Sequence, residues 1–213
     1  MTTYVNDAIF IFVTLLALIN PISAAAAFGS LGEDWSDEEQ LRIATRAAVV
    51  ATIILISFAF AGEALLGVLG VQIGAFKIAG GLLLLKVGAD MVFAERTKRH
   101  VADAAKTSAP PPPDPSVFPL AIPIITGPGA LTASVALVNP TDKNHVVNAL
   151  IFVVVALIVM AITYASMLAA EKLTKRFGQT GIDAVGRVVG IVVAAIAVQL
   201  IVNGVAGLTG LKL

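Results

Sequence analysis

Long runs of apolar residues constrain this chain more than any other feature of its sequence. A helix needs about 20 mostly apolar residues to cross the hydrocarbon core of a bilayer. A water-soluble fold of 213 residues could not bury so much apolar surface, because 58% of the residues are hydrophobic and only 13% are charged. The sequence therefore predicts an all-α membrane protein with six transmembrane helices, at approximately residues 7–29, 41–62, 73–93, 117–138, 146–170 and 188–207.

The positions of lysine and arginine predict how the helices are oriented, because these residues are retained on the cytoplasmic side of a membrane. With the N-terminus outside, ten of them fall in predicted cytoplasmic segments and only Lys143 and Lys212 fall in outer ones. The first apolar segment carries Asp7, lacks a basic residue before it and is too long for a signal peptide, so we expect it to be retained. The sequence predicts a multi-pass protein of the cell inner membrane (plasma membrane), with both termini on the periplasmic side.

A proline-rich stretch divides the chain into two halves. Four consecutive prolines at residues 110–113 favour an extended segment over a folded domain. We therefore predict a first three-helix repeat at residues 1–93, a cytoplasmic linker at 94–116 and a second three-helix repeat at 117–213. The two repeats are expected to form one membrane domain.

Short motifs recur in the two halves at nearly equal spacings. Asn20-Pro21 matches Gly127-Pro128 at an offset of 107 residues, and Lys-Ile-Ala-Gly at 77–80 matches Arg-Val-Val-Gly at 187–190 at an offset of 110. Since each half has an odd number of helices, tandem copies enter the membrane from opposite sides. The pattern predicts two inverted three-helix repeats, an arrangement typical of secondary transporters that bind substrate near the bilayer midplane.

Proline interrupts the first and fourth apolar segments, and in lipid such a break is tolerated only where protein or water satisfies the freed backbone groups. A half-helix that begins after the break presents free N–H groups that favour a carboxylate, whereas carbonyls before the break favour an ammonium group or a cation. One proline alone would more simply kink a packed helix, but two matched breaks favour a site for a zwitterion. The candidate substrate-binding residues are Asn20, Pro21, Ile22, Ser23, Thr126, Gly127, Pro128, Gly129 and Thr132.

The residues around the breaks are small or weakly polar, which suits a compact substrate but is equally typical of close helix packing. Gln199 and Asn203 lie four residues apart and so share a helix face, which could line the same cavity or bond another helix. Lys86 and Asp90 have the spacing of an ion pair along one helix. The secondary candidates for the site are Ser134, Gln199, Asn203, Lys77 and Arg187.

Several classes of function find no support in the residues. The chain has no cysteine, which excludes disulfides and thiolate metal sites, and His100 and His145 fall in polar connections. No hydrolase, metalloprotease or nucleotide-binding motif is present, so we predict neither an enzyme nor a cofactor. A net charge of zero predicts no nucleic-acid partner. The expected partners are a small-molecule substrate and the lipid bilayer, with a coupling cation and a homo-oligomer left open.

Motifs spread over nearly the whole chain resemble those of the MarC family of integral membrane proteins. They are Asn20-Pro21, the glycine-containing stretch at 76–82, the proline-rich stretch at 118–123 with Gly127-Pro128-Gly129, and residues 195–199 through Gly204. Some members are assigned to neutral amino acid transport, so the resemblance implies a transporter or exporter of small, glycine- or alanine-like amino acids. The residues alone leave open a channel or efflux protein for other small solutes, or a membrane scaffold whose broken helices serve only packing.

Overall fold

The computed structural model describes residues 2–32, 34–93, 114–138 and 145–210, and all regular secondary structure in these ranges is helical. Helices suit an apolar environment because each one satisfies its own backbone hydrogen bonds. Most of the predicted linker, residues 94–113, lies outside the described residues, as does His100. The helices are α1 (Thr2–Ile19), α2 (Pro21–Leu31), α3 (Asp37–Val68), α4 (Ile73–Val92), α5 (Ser116–Ile125), α6 (Pro128–Leu137), α7 (His145–Leu168) and α8 (Ala170–Thr209).

Four helical stretches of the described chain are long and apolar enough to cross a membrane, and one bent pair of helices would make a fifth span. The prediction of an all-helical, multi-pass protein is therefore confirmed. α4 has 20 residues but is not among these spans, since it carries Lys77, Lys86 and Asp90. Lys86 and Asp90 form no ion pair. The spans are Tyr4–Leu31, Asp37–Val68, Val146–Leu168 and Ala184–Thr209, and the bent pair is Ser116–Ile125 with Pro128–Leu137.

Two helices extend well beyond their predicted apolar segments. α3 begins with a capping box, in which the Ser36 hydroxyl accepts from the Glu39 N–H at 3.3 Å and the Glu39 carboxylate accepts from the Ser36 N–H at 3.0 Å. α8 begins at Ala170, so residues 171–187, which were predicted to be a loop, are helical instead. This stretch has no proline, and its first six residues include one glutamate, two lysines and an arginine, which are good helix formers.

α4 and α8 run antiparallel with their backbones in direct contact. A Cβ atom on Gly81 would lie 2.8 Å from the carbonyl oxygen of Ala197, and one on Gly88 would lie 2.8 Å from the nitrogen of Ala194. The absence of side chains lets the two helix surfaces approach closely enough for extensive van der Waals contact. Small residues recur at every seventh position on the two contacting faces: Gly74, Gly81 and Gly88 on α4, and Gly190, Ala197 and Gly204 on α8.

Most of the other helix contacts join the two halves of the chain. α1 and α2 pack against α7, just as α5 and α6 pack against α3. α2 also lies on α8, and α6 lies on α4. Where the broken segments meet, α1 contacts α6 and α2 contacts α5. Each broken segment is thus supported by helices of the other half, and exchanging the halves maps these contacts onto one another.

The α4–α8 contact predicts a large difference between two glycine substitutions. Gly88→Ala should destabilise the protein by about 1–3 kcal/mol, because the new methyl group would press against backbone atoms that can move only with the helix. Gly207→Ala on α8 should leave stability unchanged or slightly higher, since no side chain and no other helix among the described residues lies within 4 Å of its added Cβ. Thermal unfolding in detergent, followed by circular dichroism, measures both. Equal midpoints for the two variants would contradict this packing.

Candidate functional site

The chain leaves the helical path for one residue at Asn20. This residue has a left-handed backbone (φ 47°, ψ 78°), which asparagine adopts more readily than most residues, and α2 then begins at Pro21. The Asn20 side chain caps α2, because its Oδ1 accepts from the Ser23 N–H at 3.2 Å. The Asn20 N–H still donates to the Leu16 carbonyl at 3.0 Å. The predicted break is therefore present but narrow, and α1 and α2 together form one span.

α5, which leads to the second break, is an irregular helix. Phe118 and Ile122 have extended backbone angles, with φ −129° at both, and the peptide bonds that precede Pro119 and Pro123 are cis. The hydrogen bonds around these residues span five positions instead of four, as from the Leu120 N–H to the Pro115 carbonyl at 3.2 Å. Proline spacing explains the irregularity, since each proline lacks the N–H that an α-helix would use.

The second break turns the chain by 61° between α5 and α6. Both the N–H and the hydroxyl of Thr126 donate to the Ala121 carbonyl, at 2.9 and 2.6 Å. α6 then begins at Pro128, preceded by Gly127, which has no side chain to cap the helix. The predicted break at Gly127-Pro128 is confirmed, and it leaves the first N–H groups of α6 without a side-chain cap.

The two broken segments contact each other, since each half-helix before one break contacts the half-helix after the other. Three of the predicted polar residues of these segments are buried: Asn20, Thr126 and Thr132 are 4%, 1% and 3% exposed. The site would thus be enclosed by protein. Among the other candidates, Pro21, Gly129 and Ser134 are buried, Ile22, Ser23 and Gly127 are half-buried, and Pro128 is exposed.

Met91 near the end of α4 reaches the first break, a contact that the sequence analysis missed. The Asn20 Nδ2 donates to the Met91 Sδ at 3.9 Å, and both side chains are buried. Thioether sulfur is a weak acceptor, so a substrate with a stronger acceptor could compete for this donor. No feature of the sequence near Met91 marks it as a partner of Asn20.

α4 also covers the second break through complementary shapes. Gly80 leaves space that the Thr132 side chain fills, and Leu84 fills the space that Gly129 leaves on α6. Gly80, Leu84 and Met91 share one face of α4, because four and seven residues correspond to about one and two helical turns. The sequence shows this spacing but not which helix the face meets.

The buried hydroxyl groups on α6 bond to their own helix. The Thr132 Oγ1 donates to the Pro128 carbonyl at 2.9 Å, and the Ser134 Oγ donates to the Leu131 carbonyl at 2.7 Å. Each oxygen keeps acceptor capacity, which could receive a proton of an ammonium group. Thr14, 3% exposed on α1, is another buried hydroxyl that the sequence analysis did not single out.

The remaining secondary candidates have no described polar contact with either break. Gln199 and Asn203 lie on an exposed face of α8 and bond to each other, with 2.9 Å from Nε2 to Oδ1. Arg187 is also exposed on α8, and Lys77 is half-buried on α4. Among the described residues, no group of three metal-ligating side chains could hold a metal ion.

An ion pair anchors the beginning of the second broken segment to α3. One carboxylate oxygen of Asp114 accepts from Arg46 on α3, and the other accepts from the Ser116 N–H at 3.0 Å and from the Ser116 hydroxyl. The hydrogen bonds from Ser116 hold the pKa of Asp114 below its ordinary value, and the positive charges of Arg46 and Arg42 lower it further. The charged carboxylate therefore favours this anchored arrangement.

Known proteins match the chain over most of its length. The profile of the MarC family, described as MarC family integral membrane protein, matches residues 5–209. A UPF0056 membrane protein of Methanocaldococcus jannaschii is 34% identical over 92% of this chain and 94% of its own. A UPF0056 membrane protein of Archaeoglobus fulgidus is 34% identical over 92% and 90%, and one of Aquifex aeolicus is 31% identical over 92% and 91%. No solved structure matches the chain.

The conformation of Asn20 predicts an order of stability for three side chains at this position. Asn20→Gly loses the cap on Ser23 but tolerates the positive φ, so it should cost a few tenths of a kcal/mol. Asn20→Ala loses the cap and also strains the left-handed backbone, so it should cost about 2 kcal/mol. Thermal unfolding of the three proteins in one detergent tests the order, and an alanine variant as stable as the glycine variant would contradict it.

The lowered pKa of Asp114 predicts a pH-dependent anchor. Because the carboxylate binds its proton less readily in the folded protein, its stabilising contribution is present above the ordinary pKa and is lost as pH falls through the lowered value. The unfolding midpoint of the wild type should therefore exceed that of Asp114→Asn at pH 7, and the gap should close towards pH 3. Since the pair is partly exposed, the gap at pH 7 should correspond to about 1 kcal/mol or less. A gap that is constant with pH would contradict the role of the charge.

Proposed function

This chain belongs to the MarC family of integral membrane proteins, and from that premise we propose that it is a secondary transporter or exporter of small neutral amino acids, such as glycine and alanine. The observation that carries the proposal is the packing of two interrupted helices on each other and on α4: α1 contacts α6, α2 contacts α5, and α4 reaches the start of α2 through Met91 and the start of α6 through Leu84. Interrupted helices that meet in this way are a recurring substrate site in transporters. The names of the relatives state only a membrane protein, so the substrate is inferred from the chemistry of the breaks and from the family resemblance.

The packing of α4 against α8 supports an architecture of two inverted three-helix repeats. A Cβ on Gly74 would meet the Gly204 carbonyl oxygen at 2.8 Å, and one on Gly190 would meet the Gly88 carbonyl oxygen at 2.9 Å. These two contacts are equivalent if each residue of α4 corresponds to the residue of α8 that lies 116 positions later, so that Gly74 matches Gly190 and Gly88 matches Gly204. The sequence match suggested an offset of 110 instead. In this arrangement α4, which packs along the span at Ala184–Thr209, would be the sixth transmembrane helix.

The chemistry at the breaks suits a zwitterion with a small side chain. The uncapped N-terminus of α6 offers N–H groups and a positive dipole end to a carboxylate. Hydroxyl and carbonyl oxygens near Thr126 and Thr132 offer acceptors to an ammonium group. The candidate residues at the breaks carry no charged side chain, which matches a substrate without net charge. Gly129 and Ala130 are buried next to these groups, and Leu84 of α4 fills the space beside Gly129, so the crowded surroundings favour a substrate with a small side chain.

The site also suggests how the protein works in the membrane. Transport of an amino acid needs no covalent step, and we propose no enzymatic activity. A cation bound by the carbonyls before either break could couple the substrate to an ion gradient. The distribution of lysine and arginine supports an inner-membrane location with both termini outside.

Reconstitution in liposomes tests the proposal directly. Liposomes that contain the wild-type chain should take up radiolabelled glycine and alanine faster than empty liposomes. The double variant Pro21→Ala, Pro128→Ala should reduce this flux about tenfold or more, because continuous helices would no longer present a positive N-terminal end to the substrate. Thr132→Val keeps the shape of the side chain that fills the space over Gly80 but removes the hydroxyl, and it should also reduce the flux.

Ile53→Val is the matched control, since Ile53 is 59% exposed on α3 and should leave the flux unchanged. Circular dichroism of each variant establishes that its helices are formed. Wild-type protein that is folded but carries neither these nor other small amino acids would overturn the proposal. Unchanged flux in the folded double proline variant would show that transport does not depend on the breaks.

A further inference from the structure

Two carboxamide side chains lie on the surface of α8 at a depth where lipid hydrocarbon is expected. Gln199 and Asn203 are both exposed on the same face of the span Ala184–Thr209. With a rise of 1.5 Å per residue, they lie roughly 4 and 10 Å from the middle of that span. Both distances fall within the half-thickness of about 15 Å of the hydrocarbon core.

The two amides cannot satisfy each other fully. Gln199 donates one hydrogen bond to Asn203, which leaves Gln199 with a second N–H and a carbonyl oxygen and leaves Asn203 with two N–H groups. Acyl chains offer these groups no hydrogen-bond partner, and unsatisfied polar groups are strongly disfavoured in hydrocarbon. We therefore expect protein to cover this face of α8 in the membrane.

The residues around Gln199 have the spacing of a helix-packing seam. They alternate at intervals of four and three residues, which is the pattern of positions a and d in a coiled coil. The seam lies on the side of α8 opposite to the face that packs on α4, and its valine residues are 38–65% exposed. The seam residues are Val188, Val192, Ala195, Gln199, Val202 and Ala206.

We propose that this seam of α8 pairs with the same seam of a second copy of the chain, forming a parallel homodimer. Copies inserted in one membrane share one orientation, so a two-fold axis along the membrane normal brings each seam residue to its own counterpart at the same depth. Carboxamides carry both donors and an acceptor, so the Gln199 and Asn203 of one copy are complementary to those of the other. A polar residue at a seam position also fixes the register of such a pair.

A second copy fits this face better than the other occupants. An apolar helix or a lipid chain would leave the amides without hydrogen-bond partners. The Gln199 and Asn203 of a second copy supply both N–H donors and carbonyl acceptors at the required depth. Small and β-branched side chains on the seam let two helices pack closely. The proposal does not depend on transport, because the seam lies apart from the contacts that join the two breaks.

Single cysteines test the pairing without interference, since the chain contains none of its own. Ala195→Cys and Val202→Cys place a thiol on the seam, and Val198→Cys and Val205→Cys place one on adjacent lipid-facing positions that are 49% and 40% exposed. Native membranes are treated with copper phenanthroline as oxidant and run on non-reducing gels. We expect a disulfide-linked dimer for both seam variants and monomer for both controls. Equal cross-linking on and off the seam, or none on it, would overturn the proposal.

A second measurement isolates the contribution of the amides. Gln199→Leu with Asn203→Leu, combined with Val202→Cys, should lower the rate of cross-linking about tenfold, the size expected for losing interhelical hydrogen bonds in a membrane. Light scattering of the unmodified chain in mild detergent should give a protein mass of two copies. A mass of one copy, or cross-linking that persists unchanged without the amides, would overturn the proposal. Loss of flux in a leucine variant that still cross-links at the original rate would place the amides on a solute path instead.

Discussion

The contact between α4 and α8 is the interaction on which the rest of the bundle depends. Glycines at every seventh position bring the two backbones within van der Waals distance along most of α4. The broken segments are then packed on this pair, with α2 on α8 and α6 on α4. Lipid provides little hydrophobic drive for helices to associate, so close packing of this kind is a main source of stability. A methyl group added at Gly88 would therefore affect far more than one helix.

The sequence predicted the helical architecture because the relevant signals are local. Apolar length identifies a span, and proline marks a break wherever it occurs inside such a segment. The ends of the helices were less predictable, since hydropathy reports where the apolar stretch ends and not where the helix does. The capping box at Ser36 and the charged first turns of α8 extend helices into polar sequence for this reason. α4 shows the converse: its apolar length predicted a span at residues 73–93, but its three charges keep it out of the four helical stretches of the described chain that are long and apolar enough to cross a membrane.

The candidate site was predictable only in part, because it depends on contacts between distant segments. The interruptions at Asn20 and Gly127 follow from their own residues and were found. The contact of Met91 with Asn20 and the fit of Thr132 over Gly80 depend on where α4 packs, which no single-sequence pattern encodes. Gln199 shows the same limit, because its spacing to Asn203 identified a shared face but not the direction in which that face points.

The contacts that join the two halves of the chain have a consequence for biosynthesis. α1 and α2 leave the ribosome first, yet α7, against which they pack, is synthesised more than a hundred residues later. Until then α1 and α2 lack the helix against which they pack, although Asn20 gains its partners Ser23 and Met91 earlier. Insertion and folding must therefore be separate stages, and the early helices have to be held by the insertion machinery or by lipid until the late ones arrive. A chain released before α7 would leave the faces of α1 and α2 that pack on α7 open to the bilayer, which makes it a natural target for membrane quality control.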